Sequence, residues 1–275
     1  MKIKFKKISY LILLIYAVIC IVLYFGQTRF LYAPDHSIPD LAAAQKIIPS
    51  LRAVVYPTQD GRRVYAWYSA PENAKCGVIF MHGNSYNVGY FISRIKPFVD
   101  AGYAVVMPEY QGFGGIPGTP SQINMERDVK ATVDFMRSHG VQNKNIVLYG
   151  YSLGTYMATY TAAELSDGNP FKALILESPF TSLWETADDH LFHLFPIKTI
   201  IKDHYNSYDL IDKIGTRLFI AHGTKDPTVP FYMGKKMFDK AVGDKTFFEV
   251  EGANHRNLPE NGFLTAVLDW LKIKK

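Results

Sequence analysis

The sequence predicts an α/β fold in which a mostly parallel sheet carries helices on both faces. Short apolar runs typical of buried strands alternate with segments of helical periodicity through most of the 275 residues. One of these runs, residues 146–149, ends in Gly-Tyr-Ser-Leu-Gly and is followed by a segment that can be helical. Polar side chains also follow later strand runs. Because ligands bind at the carboxyl ends of parallel strands, we expect the functional site in these loops.

The predicted elements form one catalytic domain over residues 51–275. It begins with a hairpin over 52–56 and 63–69, whose turn is Gln59-Asp60-Gly61. Further strands are predicted over 78–81, 103–107, 146–149, 173–176, 218–221 and 246–250. Helices are predicted over 90–99, 123–138 and 264–271, with a possible short helix over 41–48 in the tether of residues 26–50.

The first 25 residues predict a basic cytoplasmic tail and a transmembrane anchor. Residues 8–25 carry no charged side chain, and a helix of this length rises about 27 Å, enough to cross a hydrocarbon core. Four lysines precede this run and only Arg29 follows it closely, which predicts a single-pass protein with the catalytic domain opposite the cytoplasm. The alternative is a cleaved signal peptide, although the run exceeds the usual length of about 7–15 residues and no A-x-A-like site follows.

The composition and motifs argue against nucleic-acid binding, a disulfide and a metal or cofactor site. The four N-terminal lysines account for most of the net charge of +5, so the rest of the chain has no nucleic-acid footprint. Cys20 lies inside the apolar run, and a disulfide with Cys76 is not expected. His190 and His193 lack an evident third ligand, and no phosphate-binding glycine loop or zinc spacing is present. We therefore expect no metal and no cofactor.

The motif from Gly150 to Gly154 predicts a tight strand-to-helix turn that presents Ser152 at the edge of the sheet. A serine hydroxyl is a poor nucleophile near neutral pH, so it needs a base, and the base needs an orienting acid. Asp226 and His255 each follow a later strand, and the order Ser, Asp, His is the one expected for this topology. Glu177 also follows a strand and is the competing acid.

Two backbone amides are expected to stabilise the negative charge of a tetrahedral intermediate. One belongs to Leu153, the residue after the serine, and the other to Asn84, in the loop after the strand at 78–81. His82, in the same loop, is better explained as a residue that packs this loop than as a second base.

Together, these motifs resemble those of α/β-hydrolases, from about Val54 to the C-terminus. The matching motifs, in the family's order, are H-G-N-x-x-N from residue 82, P-E-Y-Q-G-F-G from residue 108, G-Y-S-L-G, S-P-F from residue 178, H-G-T-x-D-x-x-V-P and N-H. The chain is especially similar to the subgroup with one N-terminal span, which includes lysophospholipid lipases and protein depalmitoylases. This resemblance implies that Ser152 is the nucleophile, Asp226 the acid and His255 the base. The family usually has D-Y-R-G-Y-G where this chain has Glu109, Gln111 and Phe113.

The segment 178–214 would cover the site as a short lid. It is rich in large apolar residues, of which Trp184, Phe192 and Phe195 would line an apolar acyl pocket. The alternative is that these residues pack the connecting helix onto the sheet.

The sequence thus predicts a serine hydrolase that cleaves carboxylic esters or thioesters with an apolar acyl group, through an acyl-enzyme intermediate. Its expected partners are a small-molecule or lipid ester and, through the N-terminal helix, a membrane. A serine peptidase acting on short peptides and a catalytically silent binding module on the same fold are the alternatives. The sequence leaves the oligomeric state open.

Overall fold

The computed structural model describes residues 2–72, 74–189 and 192–272, without the side chains of residues 2–5 and 192. Its strands are β1 (Ala33–Pro34), β2 (Arg52–Pro57), β3 (Arg63–Ser69), β4 (Gly77–Met81), β5 (Ser85–Tyr86), β6 (Ala104–Glu109), β7 (Ile146–Tyr151), β8 (Ala173–Glu177), β9 (Leu218–Gly223) and β10 (Lys245–Val250). Its α-helices are α1 (Lys2–Leu31), α2 (Leu41–Gln45), α3 (Ile92–Asp100), α4 (Gln122–Ser138), α5 (Gly154–Glu164), α6 (Leu183–Asp189), α7 (Ile197–Ile200), α8 (Phe231–Lys240) and α9 (Phe263–Lys272).

Eight of the strands form one sheet in the order β10-β9-β8-β7-β4-β6-β3-β2. The hairpin of β2 and β3 is antiparallel, and β3 is also antiparallel to β6. The remaining pairs are parallel, so β4, β7, β8, β9 and β10 end at the same edge of the sheet. The predicted α/β fold with a mostly parallel sheet is confirmed.

The sheet is buried on both faces because successive side chains of a strand point in opposite directions. In β4 and β7, Ile79 and Leu148 belong to one apolar core, with residues of α4, α5 and α8. Their neighbours Phe80 and Tyr149 belong to a second core, with residues of α3 and α9. This arrangement explains why the strand sequences are continuously apolar, as is typical of parallel sheets.

The N-terminal helix α1 extends well beyond the predicted anchor. Its segment Lys6–Leu31 contains an 18-residue window with a mean hydropathy of 2.7 and is long and apolar enough to cross a membrane, by length and composition. The helix continues to Leu31, so the tether, which the sequence predicted from residue 26, begins six residues later in the structure. After the helix, β1 pairs in parallel with β5, which lies in the loop that follows β4.

Candidate active site

The turn between β7 and α5 brings Ser152 to the edge of the sheet. Ser152 adopts a φ of 53°, in the left-handed region that costs a non-glycine residue conformational energy. A Cβ atom at position 150 would lie 2.3 Å from the carbonyl oxygen of Gly154, and one at position 154 would lie 1.9 Å from that of Met81. Only glycine fits at these two positions, and their close contacts hold the serine between β4 and the start of α5.

Three predicted side chains meet at this point. Nε2 of His255 lies 2.9 Å from Oγ of Ser152, and Nδ1 lies 2.7 Å from Oδ2 of Asp226. Asp226 follows β9, His255 follows β10, and all three side chains are buried. Residues that are far apart in the chain therefore form one continuous hydrogen-bonded series, since their strands end at the same edge.

The carboxylate of Asp226 is held in place from its other side. Its Oδ1 accepts hydrogen bonds from the amides of Thr228, at 2.8 Å, and Val229, at 2.9 Å. Burial alone would raise the pKa of Asp226, but hydrogen bonds with His222 and His255 outweigh it and keep this pKa well below its usual range. Asp226 therefore stays ionised and is suited to orient an imidazole.

His222 was missed by the sequence analysis, although it begins the same H-G-T-x-D motif as Asp226. It is fully buried, and its Nε2 lies 2.9 Å from the carbonyl oxygen of Val229 and 3.4 Å from Oδ2 of Asp226. The spacing of four residues across the turn was the available signal, because it brings the two side chains together after β9. His222 therefore supports the carboxylate of Asp226, and among the described residues it forms no hydrogen bond with Ser152.

Glu177, the competing acid, is engaged elsewhere. Arg94 donates to it through Nε, 3.1 Å from Oε2, and through Nη2, 3.0 Å from Oε1, and the hydroxyl of Tyr149 donates to Oε2 as well. The same Nη2 also donates to the carbonyl oxygen of Arg256 at 3.0 Å. His255 is hydrogen-bonded to Asp226, so the geometry favours Asp226 over Glu177 as the orienting acid.

The loop after β4 passes directly against the serine. A Cβ atom at Gly83 would lie 3.3 Å from Cβ of Ser152. Within the part of the chain that the structure describes, the amides of Asn84 and Leu153 donate no hydrogen bond, which leaves both available to a ligand. The Asn84 side chain donates from Nδ2 to the carbonyl oxygen of Leu31 at 2.6 Å, and its own carbonyl accepts from Ala33 at 2.9 Å.

His82 packs this loop, as expected from the sequence. Its ring is fully buried and lies 4.1 Å from the ring of Tyr110, centroid to centroid. Its Nε2 lies 3.0 Å from Oε1 of Glu109, whose Oε2 accepts the amide of Val88 at 2.9 Å. Glu109 therefore contacts His82 at the start of the loop and Val88 at its end. No sequence motif predicted this role.

Two of the three aromatic residues predicted to line an acyl pocket contact a lysine and a ring of α1. Lys198 lies over the ring of Trp184, with Nζ 5.0 Å from the centroid, and Phe195 stacks on Tyr16 of α1 at 5.4 Å. The Phe192 side chain lies outside the described residues. No group of three histidine, cysteine or acidic residues that could hold a metal occurs among the described residues, and His190 lies outside them.

Comparisons with known proteins agree with this fold. A family model described as the prolyl oligopeptidase family matches residues 89–258. An uncharacterized protein of Mycobacterium tuberculosis is 30% identical over 237 residues, which cover 85% of this chain and 82% of that protein. The lysophosphatidylserine lipase ABHD12 of Gallus gallus is 32% identical over 186 residues, which cover 62% of this chain and 48% of the lipase. The match therefore spans about half the length of this relative.

Two of the similar solved structures are esterases. Esterase Pf2001 of Pyrococcus furiosus has a TM-score of 0.70 at 17% identity, covering 88% of this chain and 97% of that structure. Esterase 2 of Thermogutta terrifontis with bound butyrate has a TM-score of 0.63 at 21% identity, covering 82% of this chain and 94% of that structure. At these identities, the similarity establishes the fold alone.

Proposed function

Since this chain belongs to the prolyl oligopeptidase family of α/β-hydrolases, we propose that Ser152, His255 and Asp226 form its catalytic triad and hydrolyse the ester bond of an apolar acyl group. The prediction of a serine ester hydrolase is confirmed by the lipase relatives. The observation that carries the proposed site is the hydrogen-bonded series from Ser152 through His255 to Asp226.

In the proposed reaction, Oγ of Ser152 attacks the ester carbonyl carbon while Nε2 of His255 accepts the serine proton. The tetrahedral intermediate collapses, the bond to the leaving alcohol or thiol breaks, and His255 returns the proton to that group. Water then attacks the acyl-enzyme with His255 again as base, which releases the acid and restores the serine. Asp226 stabilises the imidazolium in both steps, because it remains ionised.

The proposed oxyanion hole consists of the amides of Leu153 and Asn84. Leu153 begins the turn into α5, where the positive end of the helix adds to its effect. Asn84 approaches from the loop after β4, which packs on Ser152 through Gly83. Loss of one such donor typically costs about 10²–10³ in kcat, so the position of this loop matters for rate.

The proposed substrate is a lipid ester with a single acyl chain. The lipase relatives are described as lysophosphatidylserine lipases, and α1 is apolar enough to hold the enzyme at a bilayer. The lysines before the apolar run support an N-terminus in the cytoplasm and a catalytic domain on the other side. Protease added to intact, right-side-out vesicles should then digest the catalytic domain; complete protection until the vesicles are lysed would contradict this topology.

A peptidase acting on short peptides is the second candidate, and the description of the matching family favours it. The same triad cleaves amides, so the site geometry does not separate the two reactions. The lipase relatives favour the ester.

Labelling with a fluorophosphonate and hydrolysis of p-nitrophenyl esters test the proposed function. Wild-type enzyme should be labelled and should cleave esters faster than amino-acid p-nitroanilides, whereas Ser152→Ala should lose both labelling and hydrolysis. Ser178→Ala is the matched control, because Ser178 is also buried, follows β8 and has a φ of 53°. Undiminished labelling of Ser152→Ala would refute the assignment of the nucleophile, and faster cleavage of the anilides would favour the peptidase.

A further inference from the structure

A cavity of about 180 Å³ lies between α1 and the lid. Its lining is apolar except for one glutamine, and it comes from two separate parts of the chain. The lining residues are Leu23, Gln27, Phe30 and Leu31 of α1, and Leu183, Ala187, Ile197, Ile200 and Ile201 of the lid.

Specific contacts hold the two walls of this cavity together. Gln27 donates from Nε2 to the carbonyl oxygen of Ile200 at 3.3 Å and accepts the amide of Lys202 on Oε1 at 2.7 Å. Farther along α1, the hydroxyl of Tyr16 donates to the carbonyl oxygen of Leu194 at 3.2 Å. Because both polar ends of the Gln27 amide are bound to lid backbone, the cavity itself offers an apolar surface to a ligand.

One residue that lines the cavity also contacts the loop of the proposed oxyanion hole. Leu31 lines the cavity, and its carbonyl oxygen accepts the hydrogen bond from Nδ2 of Asn84 at 2.6 Å. Asn84 follows Gly83, which packs against Ser152. A chain of two direct contacts thus connects this apolar space with the loop beside the nucleophile.

We propose that this cavity receives the acyl chain of the substrate, which enters sideways from the bilayer between α1 and the lid; this rests on the proposed lipid ester hydrolysis. The occupant is an acyl chain because the walls of the cavity are apolar and mostly aliphatic, and one of them belongs to a candidate membrane span. An acyl chain can therefore leave the bilayer without crossing water, and its ester group is delivered beside Asn84.

Filling the cavity tests this assignment. In detergent-solubilised full-length enzyme, we compare kcat/KM for p-nitrophenyl myristate and p-nitrophenyl butyrate in wild type and Ala187→Trp. Each methylene that loses an apolar environment costs about fourfold, so the myristate-to-butyrate ratio should fall by about tenfold or more. Ala163→Trp is the matched control, because Ala163 is a half-buried alanine of α5 that does not line the cavity, and it should keep the wild-type ratio.

A second variant, from the opposite wall of the cavity, keeps the test valid if the first variant misfolds. Leu23→Trp fills the same space from α1 and should lower the ratio in the same way. If either variant keeps the wild-type melting temperature and the wild-type ratio, the cavity does not hold the acyl chain. If wild-type enzyme is not labelled by fluorophosphonate and cleaves neither ester, the proposed function itself has failed.

Discussion

Replacement of Arg94 by methionine should destabilise the protein more than any exposed charge substitution. Arg94 contacts three segments of the candidate active site. It forms an ion pair with Glu177 at the end of β8, its guanidinium carbon lies 4.3 Å from the ring centroid of Tyr151, and it donates to the carbonyl oxygen of Arg256, next to His255. The substitution therefore removes a link between the serine turn and the histidine loop.

The magnitude follows from burial. The Arg94 side chain is 5% exposed and that of Glu177 is fully buried. Removal of one partner from such a pair leaves an uncompensated charge, which costs about 3–5 kcal/mol. Loss of the contact with the Tyr151 ring adds about 1 kcal/mol, partly offset by the packing of methionine. We expect the free energy of unfolding to fall by about 4 kcal/mol.

Urea denaturation of wild type, Arg94→Met, Glu177→Gln and the double variant measures this effect as a double-mutant cycle. The double variant should be more stable than Arg94→Met by about 1–3 kcal/mol, because no unpaired charge remains buried. The control is Arg217→Met, since Arg217 also combines an ion pair, a contact with an aromatic ring and a bond to a carbonyl oxygen, but at 22% exposure. It should cost about 1 kcal/mol. Equal losses for Arg94→Met and Arg217→Met would refute the reasoning.

Two further substitutions test acidic side chains. Asp226→Asn should lower kcat by about 10³–10⁴-fold, because the imidazole loses its orienting charge; an unchanged kcat would show that another group orients His255. The same substitution should lower the free energy of unfolding near neutral pH, because the lowered pKa of Asp226 means that its ionised form stabilises the native state. Burial raises the pKa of Asp128 to about 7, so the native state binds a proton that the unfolded state releases above pH 4. Wild type should therefore lose stability as pH rises from about 4 to 7, and Asp128→Asn should be more stable by about 1–3 kcal/mol at pH 8 but not at pH 4. Urea unfolding at the two pH values measures the free energy of unfolding of wild type and Asp128→Asn. An equal gain in stability at both pH values would contradict the raised pKa of Asp128.

The parts of the fold that could be predicted are those identified by a short stretch of adjacent residues. The runs at 146–149 and 218–221 are short, apolar and rich in branched residues, which is enough to identify buried strands. The side chains of Ser152, Asp226 and His255 each come soon after such a strand, so the parallel sheet alone predicts that they meet. The structure brings them within hydrogen-bonding distance.

The contacts that escaped prediction join distant residues or lack periodicity. Arg94 and Glu177 are 83 positions apart, and nothing around either residue identifies the other. Helix α8 was not predicted, because its buried face is formed by Met233, Gly234 and Met237 among three lysines. The end of α1 was also missed, since Gly26, Gln27 and Arg29 reduce the apolar character without ending the helix.

The short pairing of β1 with β5 joins the end of the candidate membrane span to the loop that carries Asn84. The amide of Ala33 donates to the carbonyl oxygen of Asn84. The amide of Asp35 donates to the carbonyl oxygen of Tyr86, and the carbonyl oxygen of Asp35 accepts the amide of Gly114. If α1 is the proposed anchor, we expect a proteolytic cut before Leu31 to release a catalytic domain that retains these bonds. We expect a cut only a few residues later to remove these bonds from the loop that carries Asn84, so the position of the cut should decide whether the released domain keeps the proposed activity.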